Sequence, residues 1–151
     1  MSRWQQPVTT LGVMTAITTR HAPPVTPSEA QLLRLALRAD ATLCAGLGLF
    51  VAMAADPLAR LSGLTATANW IAGAALVAYG VLVYSAARVP SIRGVGLAVL
   101  AGNIAFVATV AVMLAAGWLP LTRWGEAAAV GFTVVTVVLA ALQYLGVRRL
   151  A

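Results

Sequence analysis

The sequence predicts an all-α membrane protein built as a four-transmembrane-helix bundle, and three observations predict it. Hydrophobic residues make up 61% of the 151 and charged residues only 9%, whereas a soluble domain carries roughly 25% charged residues. The mean hydropathy is +0.91. The apolar residues also gather into four runs, roughly 31 to 55, 66 to 87, 94 to 118 and 124 to 147. At about 1.5 Å per helical residue, each run can cross a hydrocarbon layer about 30 Å thick.

The domain organisation is a tail, 1 to 28, followed by the helical domain, 29 to 151. The tail mixes Thr, Pro and polar residues with one weak apolar patch from Leu11 to Ile17, too short for a secretory signal. It reads as a flexible or surface-lying segment. Pro23, Pro24 and Pro27 resist helix, and Ser28 with Gln31 has the spacing of a capping box, so the first long helix is predicted to begin near Glu29.

Between the runs stand DPLARLSG (56 to 63), ARVPSIRG (87 to 94) and WLPLTRWG (118 to 125), each holding proline, arginine and glycine as tight turns do. Short connections make neighbouring helices antiparallel. VGFTVVTVVL (130 to 139) is rich in β-branched residues, but it lacks period-two alternation, and an open strand in lipid would leave its backbone unpaired. Helix is predicted there as well.

All ten basic residues are arginines, against four acids, for a formal charge of +6. Arg3, Arg20, Arg34, Arg38, Arg88, Arg93, Arg148 and Arg149 fall on one side of the four-helix layout, and Arg60 and Arg123 on the other. The positive-inside rule then puts both termini in the cytoplasm. So apolar a chain meets lipid headgroups with its basic residues, and nucleic acid is excluded as a partner for want of a solvent-exposed basic face. Arg34, Arg38, Arg88, Arg93, Arg148 and Arg149 read as lipid-headgroup anchors, their stems laid along the hydrocarbon. Trp118, Trp124, Tyr84 and Tyr144 read as interfacial aromatics.

Sliding the chain on itself by 63 residues sets Pro57-Leu58-Ala59-Arg60 against Pro120-Leu121-Thr122-Arg123, and Asp40 against Asn103. Most other matches at this offset are Ala or Leu. A duplicated helical hairpin, related by an axis along the membrane normal, and chance matching in an apolar chain are both open.

Polar residues inside the runs carry the functional information. Asp40 is too short to reach the surface, and nine residues into its helix it lies on the order of 13 Å deep. A carboxylate at that depth costs about 2.5 to 3.5 kcal/mol on insertion scales, so it should face protein. Arg38 lies about 200° around the helix from it and is a poor partner. Asn103 enters its own helix to a similar depth, Tyr79 is at a comparable level, and Gln143 is nearer the surface. A polar intramembrane cluster of Asp40, Asn103, Tyr79 and Gln143 is therefore predicted, with Ala36, Cys44 and the Ala98-x-x-x-Gly102 pair letting the backbones approach. Such a cluster is either glue that fixes helix register or a carboxylate that carries a proton or binds a cation.

Other sites are thin. Glu126 reads as a helix-dipole partner beside a Thr122 cap, and Gly46-x-Gly48 and Gly94-x-Gly96 as packing glycines. Cys44 is the single cysteine and His21 the single histidine, which excludes an intrachain disulfide and multi-residue metal sites and leaves one-residue axial ligation as the haem option. No nucleophile-base pair, Walker loop, dinucleotide fingerprint or metal spacing is found, so no catalytic residue, cofactor or metal is expected.

The string LRLALRADATLCAGLGLF at 33 to 50, GN at 102 to 103, GWLPLTRWG and the closing ALQYLGVRR together resemble a family of small bacterial four-helix inner-membrane proteins with no assigned activity. The resemblance covers roughly residues 31 to 150 and excludes the tail. Where that family often has a tryptophan two places after the asparagine, this chain has Ala105 and then Phe106. The resemblance implies a multi-pass protein of the bacterial inner membrane. The expected role is an interaction or accessory subunit without enzymatic chemistry, packing against itself or a larger membrane complex. The alternatives are a small dimeric proton-coupled transporter or channel using Asp40, and a lipid- or quinone-binding protein with a groove between helices.

Overall fold

The computed structural model describes residues 27–150. The N-terminal tail up to residue 26, with its apolar patch, His21, Arg3 and Arg20, lies outside the described residues, as does residue 151. The described residues form five helices and no strand: α1 (Pro27–Met53), α2 (Ala55–Ser62), α3 (Ala66–Ala86), α4 (Ile92–Ala115) and α5 (Arg123–Arg149). Four of them, α1, α3, α4 and α5, are long and apolar enough to span a membrane. The chain is thus an all-α, multi-pass membrane protein.

The boundaries differ from the sequence reading in informative ways. Helix α1 starts at Pro27, so Ser28 lies inside it rather than at its cap; proline suits a first helical position because its missing amide would have no partner there. The segment read as a tight turn from 56 to 63 is instead α2, a short helix with charged and apolar residues intermixed. Its Pro57 sits in the first turn, where amides lack intrahelical acceptors, and Asp56 in the same turn complements the dipole. Gly63 ends α2 at φ 84°, returning its amide to Ala59 O at 3.2 Å; this left-handed cap is where glycine is needed. Threonines cap α3 and α5: Thr65 Oγ1 accepts from Ala68 N at 3.1 Å and Thr122 Oγ1 from Gly125 N at 3.1 Å.

Helix α1 is the hub, touching every other helix. Its longest contact is with α3, where the backbones close directly on one another: a Cβ on Gly48 would fall 2.6 Å from Gly73 O, and one on Gly80 would fall 2.8 Å from Ala45 N. Without a hydrophobic force between helices in lipid, such close van der Waals approach is what holds a pair together. The apolar core lies at the other end of α1, where Leu33, Leu37 and Ala41 meet Val83, Ala87, Ile92, Val99 and Val147. That end, where α1 and α4 begin and α3 and α5 finish, is called the terminal end below.

At the opposite, hairpin end a second tie forms. Thr122 N donates to Ser62 O at 3.0 Å, Thr122 Oγ1 donates to Leu61 O, and Asn69 Nδ2 donates to Ser62 Oγ at 3.3 Å and Thr65 O at 3.2 Å. Helix α2 therefore spaces α1 from α5 at this end. Between the two ties α1 and α5 part, leaving a groove of about 350 Å³ lined by Leu43, Leu47, Ala128, Gly131, Phe132 and Val135.

Candidate functional site: an intramembrane polar cluster

At the edge of the apolar core, between Leu37 and Ala41, α1 presents Asp40. It is 1% exposed, and its neighbours Gln143 on α5 and Asn103 on α4 are 0% and 4% exposed. Asn103 Nδ2 donates to Asp40 Oδ2 at 3.1 Å and to Gln143 Oε1 at 3.1 Å. Gln143 Nε2 donates to the same Asp40 Oδ2 at 2.8 Å. From α3, the Tyr79 hydroxyl donates to Asn103 Oδ1 at 2.9 Å. All four spans thus contribute one side chain each to a single network.

The donation runs one way. Tyr79 gives to Asn103, Asn103 gives to Gln143 and Asp40, and Gln143 gives to Asp40, so the carboxylate is the terminal acceptor. Its second oxygen, Oδ1, is met by Cys44 Sγ at 3.5 Å, one turn along α1. Every nitrogen and oxygen of the Asp40, Asn103 and Gln143 side chains thus has at least one partner. Among the described residues no buried side-chain nitrogen or oxygen lacks a partner. In hydrocarbon that completeness matters, because each unpaired buried polar group costs on the order of 1 to 3 kcal/mol.

What this geometry does is fix register. The four side chains sit at one level on four antiparallel spans, and a slip of a single turn by any helix would carry its member about 5.4 Å out of reach. The network lies closed within the bundle, except that Tyr79 is half-buried at the seam between α3 and α4.

Other residues named from the sequence land elsewhere. Arg38, Arg88, Arg93, Arg148 and Arg149 are exposed, with the Arg88 guanidinium 5.2 Å from the Tyr84 ring centre. Arg34 also bonds within the bundle: its Nη1 donates to Ala87 O, the C-cap of α3, and its Nη2 to Val89 O in the following turn at 3.1 Å. The physical reason is proximity, since α1 runs beside the end of α3 and offers a donor to carbonyls that have no helical partner. Trp118, Trp124, Tyr84 and Tyr144 are exposed near helix ends. Glu126 is exposed in the first turn of α5.

The small residues thought to draw α4 toward α1 do something different. Ala98 and Gly102 are exposed, with nothing within 4 Å of a Cβ built on Gly102, whereas Gly96, Val99 and Asn103 form the inward face. Gly46 and Gly94 are likewise open, and of the two glycine pairs only Gly48 and Gly96 pack. Three contributors were not picked out as partners by sequence: Cys44 as a donor to Asp40, Arg34 as a cap, and the Ser62–Thr122 clasp. Cys44 was legible in principle, standing four residues from Asp40 on the same face.

Among the described residues no group of three or more His, Cys, Asp or Glu side chains could hold a metal ion. No protein-family model, curated protein or solved structure matches the chain.

Proposed function

We propose that this chain is an interaction or accessory subunit of the bacterial inner membrane, its termini cytoplasmic, whose polar cluster holds a rigid bundle in register while one face of α4 packs against a second membrane protein or another copy. The observation that carries this reading is α4 itself. Its inward face is Ile92, Gly96, Val99 and Asn103, whereas Gly94, Ala98, Ala101, Ala105 and Ala108 line up at three- and four-residue spacing on the exposed side. Exposed small residues at that spacing are what a membrane helix uses to admit a neighbouring backbone. The resemblance to small inner-membrane proteins and the arginine bias toward the terminal end support the location and orientation.

Cysteine scanning tests it. In a Cys44→Ala background, single cysteines at Ala98, Ala101, Ala105 and Ala108 should cross-link in native membranes, while cysteines at Val81 and Leu82 on the exposed side of α3 should not. Equal, low cross-linking on both helices would remove the reading.

A second reading, a small dimeric proton-coupled transporter with Asp40 as its carboxylate, is favoured by one feature: Tyr79 carries the network out to the α3–α4 seam. An Asp40→Asn variant separates the two. A subunit keeps its cross-linking pattern, whereas a transporter stays folded and loses proton flux in vesicles.

A further inference from the structure

The bundle has a second groove, at the hairpin end, and its lining differs in kind from the one between α1 and α5. It occupies about 320 Å³ between the end of α1, the start of α2 and the start of α3, and is lined by Ala52, Met53, Ala55, Asp56, Ala66, Thr67 and Trp70. A carboxylate, an indole and a hydroxyl therefore share one concavity at the edge of the hydrocarbon. Trp70 is 57% exposed and Met53 80% exposed, so the groove opens outward.

Asp56 has an obvious intrahelical partner in Arg60, four residues on with the acid placed first, which is the favourable order. Both are exposed, and no ion pair joins them or engages either among the described residues. Helix α2 thus presents a free negative charge and a free positive charge on one face, separated by about one turn of 5.4 Å. The negative end and the Trp70 indole line the same groove. A carboxylate beside an exposed indole suits an ammonium group, which gains both the ionic attraction and the ring's negative face. A guanidinium suits phosphate oxygens.

We propose that this groove together with Arg60 is a headgroup site for a bilayer phospholipid that carries both an ammonium and a phosphate, the ammonium on Asp56 and Trp70 and the phosphate on Arg60. Two carbons and an oxygen link those groups in a phosphoethanolamine headgroup, a span comparable to the spacing of the two charges. Phosphatidylglycerol lacks the ammonium, and its anionic headgroup meets Asp56 with repulsion. The charge order on α2 therefore sets selectivity, and Met53 and Ala52 receive the start of the acyl chains.

Native mass spectrometry of the detergent-purified full chain tests this, using an equimolar mixture of phosphatidylethanolamine and phosphatidylglycerol with identical acyl chains. The wild type should retain phosphatidylethanolamine adducts in roughly threefold excess, the scale of one exposed cation–π and ionic contact. Asp56→Asn should abolish the preference, Trp70→Leu should reduce it, and Arg60→Gln should weaken both lipids alike. All three positions are exposed, so an unchanged thermal melt accompanies each result. Equal adducts of the two lipids on the wild type, meaning an unselective lipid annulus only, would overturn the proposal. So would an Asp56→Asn variant that keeps the preference.

Discussion

Along α1 and α3 the backbones meet directly at Gly48, Gly73 and Gly80, whereas α4 and α5 meet through side chains, with the Phe106 ring edge-on to Phe132 at 5.6 Å and 83°. Helix α4 touches α1 and α3 sparsely and reaches them through the hydrogen bonds of Asn103. The difference teaches how a bundle holds together when lipid is as apolar as its own side chains. Where small residues line up inward, van der Waals contact suffices; where they face outward, polar bonds must hold the helix in place.

Breaking the first arrangement should cost most. Gly80→Val drives a side chain into Ala41 and Ala45 of α1, and a loss of about 3 kcal/mol is expected from such overpacking. Reversible unfolding in bicelles would measure it, with Gly131→Ala as a near-neutral control because nothing lies within 4 Å of that position. Breaking the second arrangement should cost less. Asn103→Ala removes the shared donor and leaves Tyr79 and Gln143 each short of a partner, for about 2 kcal/mol. A disulfide engineered between α1 and α4 should then form more slowly than in the parent. At the hairpin end, Thr122→Ala loses the α5 cap and the bond to Leu61, worth about 1 kcal/mol in the same unfolding assay.

The smallest effect sharpens the comparison. Asp40 and Asn103 are 63 residues apart and bonded to each other, as equivalent positions on either side of a pseudo-twofold axis would be. The exchange Asp40→Asn with Asn103→Asp keeps one carboxylate and one amide at the same level. It should restore stability to within about 0.5 kcal/mol of the parent, by the coupling expected of residues in one network. A double variant no better than the sum of its singles would leave the two hairpins unrelated at this position.

Much of the bundle was readable because the bilayer restricts the choices. Runs of twenty-odd apolar residues have few outcomes other than a spanning helix, so α1, α3, α4 and α5 were located to within a few residues. A lone aspartate in such a run has to face protein, which made Asp40 the point to start from. Helix α2 was missed because eight residues with a proline and a glycine read as a turn. Asp56, Pro57 in the first turn and Gly63 beyond the last were nonetheless helix start and stop signals.

The amino-acid order alone determined the class of solvent, the number of spans and their alternation, because these follow from length, hydropathy and helical rise, whereas Gln143, expected nearer the surface, meets Asp40 and Asn103 at their level. It did not determine which way a helix turns about its own axis. Ala45 and Ala101 are equally small and equally apolar, yet one lies against α3 and the other faces outward. Only the tertiary structure decided that, because helix rotation in lipid is set by which backbones close upon one another and by where the four polar side chains meet.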